Sequence, residues 1–279
     1  MVVLVTGASG QLGQSIAFIA SKYPEIQFIF ASSNDLDITN EDRVTTFFDQ
    51  NSIDYCINTA AYTAVDKAES ESDKAYRINV LGSQYLAKAC QKSGTTLLHI
   101  STDFVFDGTA SVPYTETDTT NPIGIYGKTK LEGENEVTAH CDKHFIIRTS
   151  WVYSQFGNNF MKTMLRLALD RDALNVVNDQ IGTPTNAVDL AETLLTIIQS
   201  NSTMYGIYNF SNEGVCSWYD FAKEIFRVNA ISTTVNPIPT EAYPTPAKRP
   251  AYSVLDKTKI KTIFDINIKS WQESLLQTK

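Results

Sequence analysis

Tyr126 and Lys130 stand four residues apart, the spacing that puts two side chains on one face of a helix. A phenol and an ammonium sharing a cleft make an acid. The cation favours the phenolate and is expected to bring the tyrosine down from its ordinary pKa of about 10. A tyrosine tuned in this way can give its proton to a carbonyl oxygen while hydride reaches the carbon. The spacing also occurs on exposed helices as plain surface charge, so its weight comes from its neighbours. Thr102 is one of them, a hydroxyl directly after the apolar run 97–101, at what reads as a strand end.

A glycine turn supplies the other half of such a reaction. Gly7, Gly10 and Gly13 follow the apolar run 2–5 and lead into an amphipathic stretch, in the order strand, turn, helix. One glycine lets the chain turn sharply, another lets a pyrophosphate approach the backbone, and the third lets the helix pack on the sheet. The helix N-terminus then offers unpaired amides to the phosphates, and dinucleotide binding is the expectation. At the end of the second apolar run, Phe30-Ala31-Ser32-Ser33 lacks the acid that would hold an adenosine ribose 2′-hydroxyl. Ser32 is expected there instead, accepting a 2′-phosphate without repelling it, so NADPH is favoured and NADH stays usable. Asp37 and Ile38 suit the adenine amino group and ring, although Asp37 is as well suited to capping a helix near Glu41.

These residues need a scaffold that gathers turns and strand ends. Apolar runs at 2–5, 28–31, 55–58, 97–101 and 145–148 read as buried strands, with helices at 11–22, 41–51, 73–93 and 126–139 between them. That alternation predicts an α/β fold of Rossmann type, a doubly wound parallel sheet with ligands at the carboxyl ends of its strands. Beyond 148 the rhythm loosens into a helix at 159–170, a strand at 174–177 and a helix at 187–200. Pro237, Pro239, Pro244, Pro246 and Pro250 then mark a loop-rich stretch. The expected division is a dinucleotide-binding domain at 1–150, to which the chain returns around 180–210. A smaller C-terminal substrate-binding lobe is expected from 151–180 and 211–279.

Hydrophobic residues make up 43% and charged residues 19%, an ordinary globular balance. The longest apolar runs are about five residues, against roughly 20 for a membrane span, so no membrane partner is expected. With 23 basic and 31 acidic residues the net charge is -8, the wrong sign for holding nucleic acid. A small anion can still be held by amides and one or two local cations. Cys56, Cys90, Cys141 and Cys216 lie far apart and are expected as buried free thiols. No secretory leader is recognisable, which makes a cytoplasmic protein the expectation. His99, His140 and His144 have no ligand spacing, and no metal is expected.

Longer blocks carry a resemblance. Residues 6–13, 58–69, 101–108, 126–134, 148–153 and 179–185, with Arg249-Pro250, are similar to the dTDP-4-dehydrorhamnose reductases among the extended short-chain dehydrogenase/reductases. The resemblance implies reduction of the 4-keto group of a dTDP-activated deoxysugar by NAD(P)H, the step that completes dTDP-L-rhamnose. It implies that Thr102, Tyr126 and Lys130 are the catalytic triad. Tyr126 would protonate the sugar oxygen, Lys130 hold the nicotinamide ribose, and Thr102 bind the same oxygen. Gly10, Gln11 and Leu12 match the pyrophosphate turn, and Ala61, Tyr62, Thr63 and Ile100 match positions beside the cofactor. Asp103 and Trp151 match contacts to the sugar nucleotide, Arg249 is expected to take a substrate phosphate, and Asn79 matches a helix asparagine that supports the site. Phe104 stands where the family usually has tyrosine. The magnesium constellation of some members cannot be matched, which leaves a homodimer open. Two other readings remain: an epimerase or dehydratase on the same scaffold, and a non-catalytic, reductase-like regulatory subunit.

Overall fold

The computed structural model describes residues 1–278. The apolar segments form β1 (Val2–Thr6), β2 (Gln27–Ala31), β3 (Tyr55–Asn58), β4 (Thr96–Thr102) and β5 (His144–Thr149). Between them run α1 (Gln11–Ile19), α2 (Glu41–Gln50), α3 (Val65–Ala68), α4 (Ser72–Tyr76), α5 (Gly82–Ser93) and α6 (Ile125–His140). Asn40 starts α2 by accepting from the Arg43 amide at 3.0 Å. Asp37 therefore does not cap that helix; its carboxylate takes the Thr39 amide at 3.0 Å and hydroxyl at 2.8 Å. The stretch 73–93, read as one helix, is interrupted by a π-helical segment, Arg77–Leu81. Such a widened turn re-aims side chains.

The rest of the chain adds β6 (Val152–Tyr153), α7 (Phe160–Leu167), β7 (Ala173–Val177), β8 (Ile181–Gly182), β9 (Thr185–Asn186), α8 (Ala187–Gln199) and β10 (Gly206–Asn209). It ends with β11 (Cys216–Ser217), α9 (Trp218–Val228), β12 (Thr234–Ile238), α10 (Thr258–Phe264) and α11 (Trp271–Leu276). Six strands make the main sheet in the order β10-β5-β4-β3-β1-β2, all parallel. From β1 the chain steps one way to β2 and the other way to β3. The carboxyl ends of β1 and β3 therefore bound a crevice.

Both faces of the sheet are covered, which is why its strands are almost wholly apolar. On one face α1 and α8 pack over Val3, Val5, Ile57, Leu98 and Ile147. On the other α2, α5 and α6 pack over Leu4, Cys56, Leu97 and Ile146. A separate core joins Tyr153, Met161, Leu174, Phe221, Ile225 and Trp271 from β6, α7, β7, α9 and α11. The four cysteines are buried and free. Among the described residues, no helix is long and apolar enough to cross a membrane.

Candidate active site

The crevice over β1 and β3 is a cleft of about 420 Å³, walled by Gly7, Ser9, Gly10, Asp37, Ile38 and Ala61 among others. Gly7 has φ +64°, and a Cβ there would lie 2.6 Å from the Ala60 nitrogen. No side chain fits. Gly13 is equally constrained, since its Cβ would meet the Ala8 backbone at 2.6 Å and push α1 off the turn. Gly10 precedes α1 without a side-chain cap, so the first-turn amides of Gln11 and Leu12 have no intrahelical partner. The Leu12 side chain lies in the core. The Gln11 side chain faces the later part of the chain, taking hydrogen bonds from Ser154 at 3.1 Å and Asn159 at 2.9 Å.

Ser32 is not on the cleft wall, and Ser33 is. The Ser32 hydroxyl is engaged by Asp35 at 2.6 Å, closing a tight turn after β2. The cleft-facing position expected of Ser32 is thus held by Ser33. Lys74 and Arg77 also line the cleft, two cations brought from α4 and the π segment that the sequence reading did not assign there. Ala61 lines it too, while Tyr62 and Thr63 are not among its wall residues. Instead the Tyr62 backbone is clamped by Asn79, which accepts from its amide at 2.8 Å and donates to its carbonyl at 3.2 Å. Asn79 also donates to the Thr129 hydroxyl at 3.1 Å, tying this loop to α6.

At the next strand over, Thr102 ends β4 and α6 opens with Tyr126 in its first turn. The Thr102 hydroxyl donates to Asp103 at 2.9 Å, and Phe104 packs edge-on against the Tyr126 ring with centroids 5.5 Å apart. The Tyr126 side chain is half-buried. Burial pushes that phenol up to about 12, partly offset by the Thr102 hydroxyl and reinforced by Asp103. The expected lowering by Lys130 is absent from this balance, because Lys130 Nζ is turned to the Ile100 carbonyl at 2.7 Å. Ile100 thus meets the site through its backbone. Burial brings Lys130 down to about 8, against an opposing pull from Glu134. Asp103 goes the other way: burial lifts it to about 6, and its Oδ2 is buried without a partner.

Beneath the pair lies a fully buried ion pair that the sequence reading did not single out. Arg148 donates to Glu134 through Nε at 2.9 Å and Nη2 at 2.7 Å, and Ser101 donates to the same carboxylate at 2.5 Å. Each charge is 3% exposed or less, so the pair stiffens the strand end under Thr102.

A second cleft, of about 790 Å³, opens among α7, β7 and the proline-rich stretch, with Met164, Arg171, Val177, Gln180, Trp218 and Arg249 on its walls. Trp151 is absent from that wall; it stacks beneath Trp218 with ring centroids 3.6 Å apart. Its φ of 47° is unusual for a bulky residue and marks a strained link, the kind of cost, about 1–3 kcal/mol, that persists where the surroundings enforce it. Arg249 reaches this cleft but is bound bidentately to Asp66 in α3, at 2.9 Å through each amino group. A guanidinium expected to meet a phosphate thus already has a carboxylate.

The model of the RmlD substrate binding domain family matches residues 1–278. The chain belongs to the dTDP-4-dehydrorhamnose reductase family. It is 47% identical to the dTDP-4-dehydrorhamnose reductase of Aggregatibacter actinomycetemcomitans over 98% of this chain and 96% of that one. The crystal structure of a family member from Clostridium acetobutylicum, 47% identical, superposes with a TM-score of 0.95 and covers 100% of this chain and 98% of that one. A 40% identical reductase from Bacillus anthracis, solved in complex with NADP, also gives 0.95, covering 99% and 98%. The family is one of oxidoreductases, and this chain is an enzyme of that kind with the α/β fold its alternation predicted.

Proposed function

We propose that this protein reduces the 4-keto group of a dTDP-4-dehydro-6-deoxy-L-sugar with NADPH, giving dTDP-L-rhamnose, and that Thr102, Tyr126 and Lys130 carry the reaction. The reading rests chiefly on one observation: a half-buried tyrosine beside a strand-end hydroxyl, with a buried lysine one turn along the same helix. The dinucleotide crevice lies at the adjoining strand ends. Gly7, which no side chain can replace, and the unpaired amides of Gln11 and Leu12 fit a pyrophosphate. Asp37, Ile38 and Ser33 fit an adenosine. When bound, the nicotinamide supplies hydride. Tyr126 then gives its proton to the developing alkoxide, and Thr102 donates a hydrogen bond to the same oxygen. Lys130 supplies the positive charge that offsets the phenolate left behind.

The larger cleft suits the nucleotide of the substrate. Trp218 offers a flat aromatic wall, Gln180 an amide, and Arg171, with Arg249 once it exchanges Asp66 for the substrate, the cations for a diphosphate. Loss of reduced-nicotinamide absorbance with freshly generated dTDP-4-dehydro-6-deoxy-L-lyxo-hexose, with dTDP-L-rhamnose identified by NMR, tests the reaction. Tyr126→Phe is expected to lower kcat by about 10²–10⁴ and leave NADPH affinity unchanged. Near wild-type turnover in that variant would remove Tyr126 from the proton-donor role.

A further inference from the structure

His99 is completely buried in β4, directly before the carbonyl that Lys130 holds. Its tautomer can be worked out from its neighbours. Asn58 Oδ1 accepts from the Thr6 hydroxyl at 2.7 Å and from the Ala60 amide at 3.2 Å. A backbone amide can only donate, which fixes the oxygen on that side of the Asn58 side chain. Its Nδ2 is then a donor facing His99 Nδ1 at 3.1 Å, so Nδ1 accepts. Burial, with Lys130 and His144 adding to it, holds His99 well below the usual histidine range. The neutral ring therefore carries its hydrogen on Nε2, which lies 3.5 Å from Lys130 Nζ.

An ammonium has three donors and no acceptor; a neutral amine has a lone pair. Against Nε2–H the first is a donor facing a donor, and the second completes a hydrogen bond. We propose that His99 is a positioning residue for Lys130: fixed as its Nε2–H tautomer by Asn58, it turns a donor toward Nζ and so lets the lysine release a proton during turnover. This rests on the role given to Lys130 above.

The groups around the pair are consistent with that task. From α6, Glu134 opposes the release, but its carboxylate is held bidentately by Arg148 of β5. Tyr126, on the same helix, is the group to be reprotonated. From β5, His144 Nδ1 is bonded to the Cys141 carbonyl at 2.6 Å. Asp103, after β4, acts on Tyr126. From β1 and β3, Thr6 and Asn58 are neutral. The proton count closes as follows. Tyr126 loses its O–H proton to the sugar oxygen as hydride forms the new C–H bond. A Lys130 N–H bond then breaks and its proton reaches the phenolate through solvent, since Nζ itself is held by the Ile100 carbonyl; the resulting amine accepts from His99, and one solvent proton restores the ammonium. The net addition is one hydride and one solvent proton.

The test is the pH dependence of the single-turnover rate at saturating NADPH and sugar nucleotide. The wild type is expected to lose activity above an ionisation near pH 8, the value to which Lys130 is brought. Lys130→Met abolishes that limb; its survival would overturn the reading of Lys130 itself. His99→Phe keeps a ring of similar size without either nitrogen, and is expected to move the limb up by about one unit. Asn58→Asp puts an acceptor opposite Nδ1, so the ring hydrogen moves to Nδ1 and donates to the carboxylate, the Nε2 lone pair faces the lysine and the limb moves upward as well. In the His99→Phe background the same change adds much less, because the ring that transmits it is gone. An unmoved limb in His99→Phe, with native thermal stability and NADPH affinity, overturns the proposal. Should that variant not fold, an unmoved limb in Asn58→Asp does so.

Discussion

Asp103 is held where a carboxylate is least comfortable, 1% exposed with one oxygen unpartnered. Its folded pKa of about 6 lies above the ordinary value of about 4. Between those values the native state binds more protons than the unfolded chain, so stability falls as pH rises from about 4 to 6. The cost above pH 6 is about 1–3 kcal/mol, at 1.36 kcal/mol per unit. Asp103→Asn is therefore expected to raise the thermal midpoint at pH 8 by several degrees, with the gain shrinking to nothing near pH 4, and to lower activity. Differential scanning calorimetry across that range checks it. Cofactor choice is decided at the same scale. A carboxylate about 4 Å from a 2′-phosphate costs several kcal/mol at an effective dielectric of about 20. Ser33→Asp should cut kcat/KM for NADPH at least about tenfold and spare NADH, whereas Ser32→Asp should change the preference little. Spacing made the shared helix face of Tyr126 and Lys130 legible, but it could not register the turn after β2. Which of two adjacent serines faces the cleft depends on the bond from Ser32 to Asp35, and periodicity carries no trace of it.

Along α6, Tyr126, Lys130 and Glu134 recur every four residues and form one inward stripe. The helix is thus anchored to the sheet by charge where most helices are anchored by leucines. Glu134→Ala would strand the Arg148 guanidinium in the interior, and is expected to cost about 3–5 kcal/mol in urea unfolding. Replacing both partners, Glu134→Leu with Arg148→Met, should cost far less, since no charge is left alone. The strands of the main sheet could be read from the sequence because burial on both faces makes them continuous apolar runs. Other elements could not. The π segment differs from a regular helix by one residue per turn, too little to disturb the pattern of 73–93. Pro237 read as loop, yet it lies in β12, which pairs with β7 alone, and an edge strand tolerates a residue without an amide hydrogen.

Across the whole molecule, two of the links between the cofactor side and the later chain run from side chains that reach far along the sequence: Gln11 to Ser154 and Asn159, and Asp66 to Arg249 across 183 residues. The second holds Asp66 below the usual carboxylate range, chiefly through its hydrogen bond to Arg249, and it closes the proline-rich stretch against α3. Arg249→Ala removes the guanidinium that the proposed diphosphate would have to draw from Asp66; it is expected to raise the sugar-nucleotide KM at least about tenfold and to leave the NADPH KM alone. An equal rise in both would point to a loosened fold. The sheet itself also spans the chain, because β5 takes its outer neighbour from Gly206–Asn209. During synthesis β5 leaves the ribosome with that edge bare. At about 5–20 residues per second, the intervening stretch of roughly 60 residues takes on the order of 3–12 seconds to appear. Through that interval the nascent protein presents an apolar, unpaired strand to its neighbours on the polysome, and its yield in the cell is expected to rise with chaperone occupancy, which expression with and without added chaperone checks.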